Sequence, residues 1–154
     1  DDSTRKVWAY PIRTKDRVFS IFPEWLAMVE NQTGRKLKCL RTDNGGEFKS
    51  EEFVRFFRKR GIRREYTTPY SPEQNGIVEC MNRTIQERVV SMLQHSGLSD
   101  GFWVEALLTV VDIINMSPSR PLGLKIPQEI WTGSKPSYHK LRKYGPAVSR
   151  VMTS

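Results

Sequence analysis

Short apolar runs alternating with helix-periodic segments constrain this chain more than any other feature. Val7–Ile12 reads as a strand with Trp8 and Tyr10 on one face. Lys15–Asn31 then carries apolar residues at Val18, Phe22, Trp25, Leu26 and Val29, a helical spacing that Thr33-Gly34 stops; Pro23 inside it implies a kink or a true start near Phe22. Leu37–Leu40 is a short strand that runs straight into the polar turn Arg41-Thr-Asp-Asn-Gly-Gly46. Ser50 is a good N-cap for a helix whose buried face is Phe53, Phe56 and Phe57, and Gly61 ends it before a strand at Ile62–Tyr66. The stretch Thr67–Gly76 is the most loop-like in the chain, and a long helix follows from about Ile77 to His95. Ser99 or Asp100 caps the next helix, which ends before Pro118, and a short one spans Pro127–Trp131. Strand, helix, strand, helix, strand and then helices is an α/β order built on a small sheet.

A chain of 154 residues suits one domain with a real core. Its apolar stretch Ala106–Ile114 is broken by Thr109 and Asp112 and is too short to cross a bilayer; the opening residues carry no signal-peptide pattern, so a soluble intracellular protein is expected. Cys39 and Cys80 are far apart, as are His95 and His139, and no Cys/His spacing suits zinc. The net charge of +8 favours a polyanion partner, nucleic acid first. Its cations gather in two groups, one at Arg35, Lys36 and Lys38, the other at Arg55, Arg58, Lys59, Arg60, Arg63 and Arg64.

Two carboxylates stand out by position. Asp43 follows a buried-looking strand, where α/β sheets commonly hold ligands and metals, although Asp-Asn-Gly-Gly alone is more often a plain turn. Glu79 opens the long helix and shares a face with Asn82, Arg83 and Gln86, while Met81, Ile85, Val89 and Met92 face the core. A first-turn Glu alone is usually a favourable dipole contact.

Between them, 35 residues separate Asp43 from Glu79. Around them lie Leu40-Arg-Thr-Asp-Asn-Gly-Gly-Glu-Phe48, Thr68-Pro-Tyr-Ser-Pro-Glu-Gln-Asn-Gly76 and Asn82-Arg-Thr84. Phe102-Trp-Val-Glu-Ala106, Asn115-Met-Ser-Pro118 and Pro127-Gln-Glu-Ile-Trp-Thr-Gly133 follow, and Asp1-Asp-Ser-Thr-Arg-Lys-Val-Trp8 precedes. In these motifs the chain resembles the integrase catalytic cores of copia-type retrotransposon Pol polyproteins, DDE transferases with an RNase H-like fold.

That resemblance implies a small mixed sheet flanked by helices. It implies a core over residues 1–117, incomplete at its N-terminus, with 118–154 as an extension whose likeness fades after about residue 144. It makes Asp43 and Glu79 catalytic metal ligands for Mg²⁺ or Mn²⁺ in a two-metal site, and Tyr70, Gln74, Asn75, Asn82 and Arg83 DNA contacts. Its reaction is removal of nucleotides from a DNA end and joining of that end to target DNA, by a homo-oligomer on DNA, in the nucleus after a cytoplasmic particle stage. The family's first catalytic Asp and first strand lie upstream of the segment matched by Asp1–Trp8, so the chain is expected to be truncated and inactive as it stands. Asp1 and Asp2 match non-catalytic positions. Cys80 and Met116 replace arginines usual in the family. A non-catalytic nucleic-acid-binding remnant and an RNase H-like nuclease are the alternatives.

Overall fold

The computed structural model describes residues 1, 3–42, 45–66 and 72–141, the side chains of 72–75 and 140 excepted. The chain divides into two compact units, one made of Asp1–Ala9 with Cys80–Ser154, the other of Tyr10–Glu79.

The Tyr10–Glu79 unit holds α1 (Val18–Thr33), β1 (Cys39–Thr42), α2 (Glu51–Arg60), β2 (Arg63–Tyr66) and the start of α3 (Pro72–Ser96). A 3-10 turn at Lys15–Arg17 leads directly into α1, so this helix starts earlier than Pro23 implied. Pro23 stands inside it, one full turn beyond Phe19; what it costs is the single bond its missing N–H cannot make. Phe22 and Leu26 on α1 meet Phe53 and Phe57 on α2, with Ile62 beside them, and these five are the buried core of the unit. Their rings pack mostly edge to face, as Phe19 does on Phe53 at 4.9 Å between centroids, while Phe53 and Phe57 stack at 5.4 Å. Helix α2 forms as its sequence predicts. Ser50 accepts a hydrogen bond from the Phe53 amide at 3.4 Å, and Gly61 closes the helix in the left-handed region at φ 66°.

Glu30, near the end of α1, ties the unit together. Its buried carboxylate accepts from the Leu37 amide (3.0 Å), the Lys36 ammonium (3.2 Å) and the Arg60 guanidinium (3.2 Å). The Leu37 amide first, then Lys36 and Arg60, hold the Glu30 carboxyl below the usual carboxylate range, against an opposing desolvation. The approach to β1 and the end of α2 are thereby fixed to α1. β1 and β2 pair in parallel, Cys39 opposite Arg63 and Thr42 opposite Tyr66, and α2 provides the crossover that parallel strands require. Among the described residues this is the whole sheet.

The other unit carries α3 from Cys80 onward, α4 (Trp103–Met116) and α5 (Pro127–Thr132). Leu93, Ala106, Val110, Val111 and Pro127 are its buried apolar residues. Met81, Ile85, Val89 and Met92 are half-buried on α3 and Val90 is exposed, which matches the helical division read from sequence.

The strand expected at Val7–Ile12 does not form. Val7 spends its backbone groups on a side chain instead of a neighbouring strand. The buried Asn115 amide on α4 accepts from the Val7 N–H at 2.9 Å and donates to the Val7 carbonyl at 2.8 Å, as a strand partner does. Close by, the Lys6 ammonium donates to Gln128 and lies 5.5 Å from the Trp8 ring and 5.7 Å from that of Trp131. Burial lowers the Lys6 pKa, with Asp112 opposing. Trp8 meets Trp131 edge-on at 4.9 Å.

Candidate functional site

The geometry that matters begins at the C-terminal ends of the two strands. Because β1 and β2 run parallel and in register, Thr42 and Tyr66 lie side by side at one edge of the sheet. Asp43 is the next residue after Thr42. After Tyr66 come residues 67–71 and then α3, with Glu79 seven residues, about two turns, beyond Pro72. Both segments therefore leave the sheet from the same edge.

The backbone that follows Asp43 is tethered from several directions. A 3-10 turn at Gly46–Lys49 seats Phe48 against Phe53 at 5.3 Å. Arg64, on β2, donates to the Phe48 carbonyl at 3.1 Å while its guanidinium packs against the rings of Phe57 (5.6 Å) and Tyr66 (5.7 Å). Lys49 lies 6.0 Å from the Tyr66 ring. Glu47 folds back so closely that a side chain at position 45 would meet its carboxylate at 2.7 Å, a clash that the flexible Glu47 side chain can relieve by turning away. None of these anchors stood out in sequence. In sequence Arg64 is one of a cluster of cations, and a long basic side chain lying along apolar rings leaves no local signature.

Glu79 is exposed on α3, and among the described residues its carboxylate has no hydrogen-bond or ion-pair partner, so its oxygens are available to a ligand. Asn82 and Arg83 are likewise exposed on α3. Asp43 and Tyr70 lie outside the described residues, as do the side chains of Gln74 and Asn75. Residues 72–76, expected in the loop, are helical instead, because Pro72 begins α3, where a missing N–H is no loss. A hollow of about 400 Å³ beside the Gly46–Lys49 turn is lined in part by Asp16, Glu47 and Glu52. Among the described residues, however, no three metal-ligating side chains converge.

The TnsB C-terminal domain family matches residues 23–95. The Retrovirus-related Pol polyprotein from transposon TNT 1-94 of Nicotiana tabacum is 50% identical over 145 residues, 94% of this chain and 11% of that protein. Its counterpart from transposon RE1 of Arabidopsis thaliana is 33% identical over 147 residues, 96% of this chain and 10% of that protein. The chain thus spans about a tenth of the length of these relatives. Among solved structures, the HTLV-2 integrase catalytic core domain in complex with magnesium superposes with a TM-score of 0.55 at 23% identity, over 76% of this chain and 69% of that one. The catalytic core domain of BIV integrase gives 0.59 at 20% identity, over 85% and 80%. At such identities these structures speak for the fold, which is the RNase H-like one expected. By sequence the chain is similar to about a tenth of the length of the retrovirus-related Pol polyproteins of plant transposons, and its fold is that of integrase catalytic cores.

Proposed function

We propose that the chain is the DNA-joining core of a copia-type retrotransposon integrase, with Asp43 and Glu79 as two of its metal-holding carboxylates. The observation that carries this reading is the parallel register of β1 and β2, which sends the segments bearing Asp43 and Glu79 out of one sheet edge. Hard carboxylate oxygens are the donor set that Mg²⁺ or Mn²⁺ prefers, and Glu79 has its oxygens uncommitted among the described residues. A pair of such ions about 3.5–4 Å apart supplies the positive charge that the attacking and leaving oxygens of a phosphate need. Asp43 and Glu79 hold that charge at the sheet edge. Arg83 offers phosphate a charged donor, and Asn82, with Tyr70, Gln74 and Asn75, completes the DNA contacts. The anchoring of Phe48 by Arg64 keeps the segment after Asp43 in position.

The substrates on this reading are the element's DNA ends and target DNA, handled by several copies of the protein in the nucleus. The related solved structures include an intasome of simian T-cell lymphotropic virus, which matches this fold with a TM-score of 0.59 at 21% identity. The test is a strand-transfer assay of this chain carried within a full-length Pol polyprotein, with a short duplex, a plasmid target and Mg²⁺ or Mn²⁺. Joined product that disappears in both Asp43→Asn and Glu79→Gln is the expected result. Cleavage without joining points to a nuclease. Duplex binding without turnover, indifferent to both substitutions, points to a binding remnant.

A further inference from the structure

At its other edge the same sheet is strongly basic. Lys38 and Arg63 sit together at the N-terminal ends of the strands, joined by the Arg63 amide donating to the Lys38 carbonyl at 2.9 Å. α2 delivers Arg58, Lys59 and Arg60 to the same end through Gly61, and Lys36 is drawn in through Glu30, which also holds Arg60. The side chains of Lys36 and Arg63 are 78% and 74% exposed despite their ion pairs, and Lys38, Arg58 and Lys59 are exposed. Among the described residues, Lys38, Arg58 and Lys59 have no carboxylate partner.

The ordinary explanation for such cations is that they complement helix C-termini. Both α1 and α2 do end here, but each terminus contributes only about half a negative charge. Glu30 and Glu65 add two acids. Six cations outweigh all of these, and a surplus of like charge held on rigid elements costs self-repulsion unless an anion offsets it. Thr42 and Cys39 are the two ends of β1, about 10 Å apart at a strand rise of 3.3 Å, so this surface lies away from the edge where Asp43 follows.

We propose that Lys36, Lys38, Arg58, Lys59, Arg60 and Arg63 form a second, sequence-independent binding surface for the phosphate backbone of duplex DNA, at the end of the sheet opposite to Asp43. Of these, Lys36 and Arg60 are committed in part to Glu30, and Lys38, Arg58 and Lys59 carry the phosphates. The surface contributes affinity and no base readout, because nothing on it offers a fixed pattern of paired donors and acceptors. It stands on charge and register alone, independently of the roles assigned to Asp43 and Glu79.

The test is fluorescence anisotropy of the full chain with a labelled duplex of arbitrary sequence, titrated between about 50 and 200 mM salt. In the triple variant Lys38→Gln, Arg58→Gln and Lys59→Gln, three lost phosphate contacts flatten the slope of log affinity against log salt by about 2.7. Affinity at the low-salt end falls at least tenfold, and the charge-preserving Lys38→Arg, Arg58→Lys and Lys59→Arg restores it. Should the triple variant unfold, the single Lys59→Glu at an exposed helical position flattens the slope by about 1. An unchanged slope in a folded variant overturns the proposal, as does a variant that keeps DNA binding and loses binding to polyglutamate.

Discussion

Removing the Arg64 side chain should loosen the sheet edge that carries Asp43. Arg64→Ala deletes a charged hydrogen bond to the Phe48 carbonyl and two cation–ring contacts, with Phe57 and Tyr66. The hydrogen bond is worth about 1.5 kcal/mol, the low end for a charged donor, since the residue is only half-buried. Each ring contact adds roughly 0.5–1 kcal/mol at such a site. The expected loss is about 3 kcal/mol, or roughly two factors of ten in the opening equilibrium. Native-state hydrogen exchange reads this locally. The Phe48 amide, bonded to the Gly45 carbonyl at 3.3 Å, should exchange about a hundredfold faster in Arg64→Ala. Arg64→Lys keeps the charge but not the planar group that lies along the rings, and should fall between the two. Exchange within a factor of two of the parent in Arg64→Ala would refute the idea that this arginine holds the segment after Asp43.

Two further outcomes follow from the polar contacts of the two units. The folded-state pKa of Glu30 is depressed, so its stabilising effect is complete above the ordinary carboxylate pKa and is lost as pH falls through the lower, folded one; Glu30→Gln should therefore flatten the acid limb of a stability-against-pH curve for the Tyr10–Glu79 unit, and an unchanged limb contradicts it. Asn115→Leu strips Val7 of the partner for both backbone groups and should cost about 2–3 kcal/mol, seen as faster exchange of the Val7 amide; full protection in that variant would show that another group takes over.

Elements with local causes were legible. Ser50, the Phe53–Phe56–Phe57 stripe and Gly61 specify α2 within a dozen residues, and the structure realises all three. Errors arose where the deciding partner is remote or where a punctuating residue has two uses. Val7–Ile12 alternates like a strand, but its hydrogen-bonding partner is a side chain 108 residues away. Pro72 reads as a loop residue and also makes a good first residue of a helix, the role it takes here. Pro23 reads as a boundary, yet an apolar face as strong as that of Phe22 and Leu26 carries α1 through it. For the site, the family resemblance singles out Asp43 and Glu79, and the parallel register relates their segments to one edge. Arg64 and Glu30 were invisible in sequence. Their importance lies in what they touch.

Metal binding tests the central claim most directly. Mn²⁺ titrated into the full chain and followed by its paramagnetic signal should show bound ion, with affinity reduced at least tenfold in Asp43→Asn and again in Glu79→Gln, while Asp16→Asn, from the hollow beside the Gly46–Lys49 turn, leaves it unchanged. Equal Mn²⁺ binding by the parent, Asp43→Asn and Glu79→Gln would contradict the account.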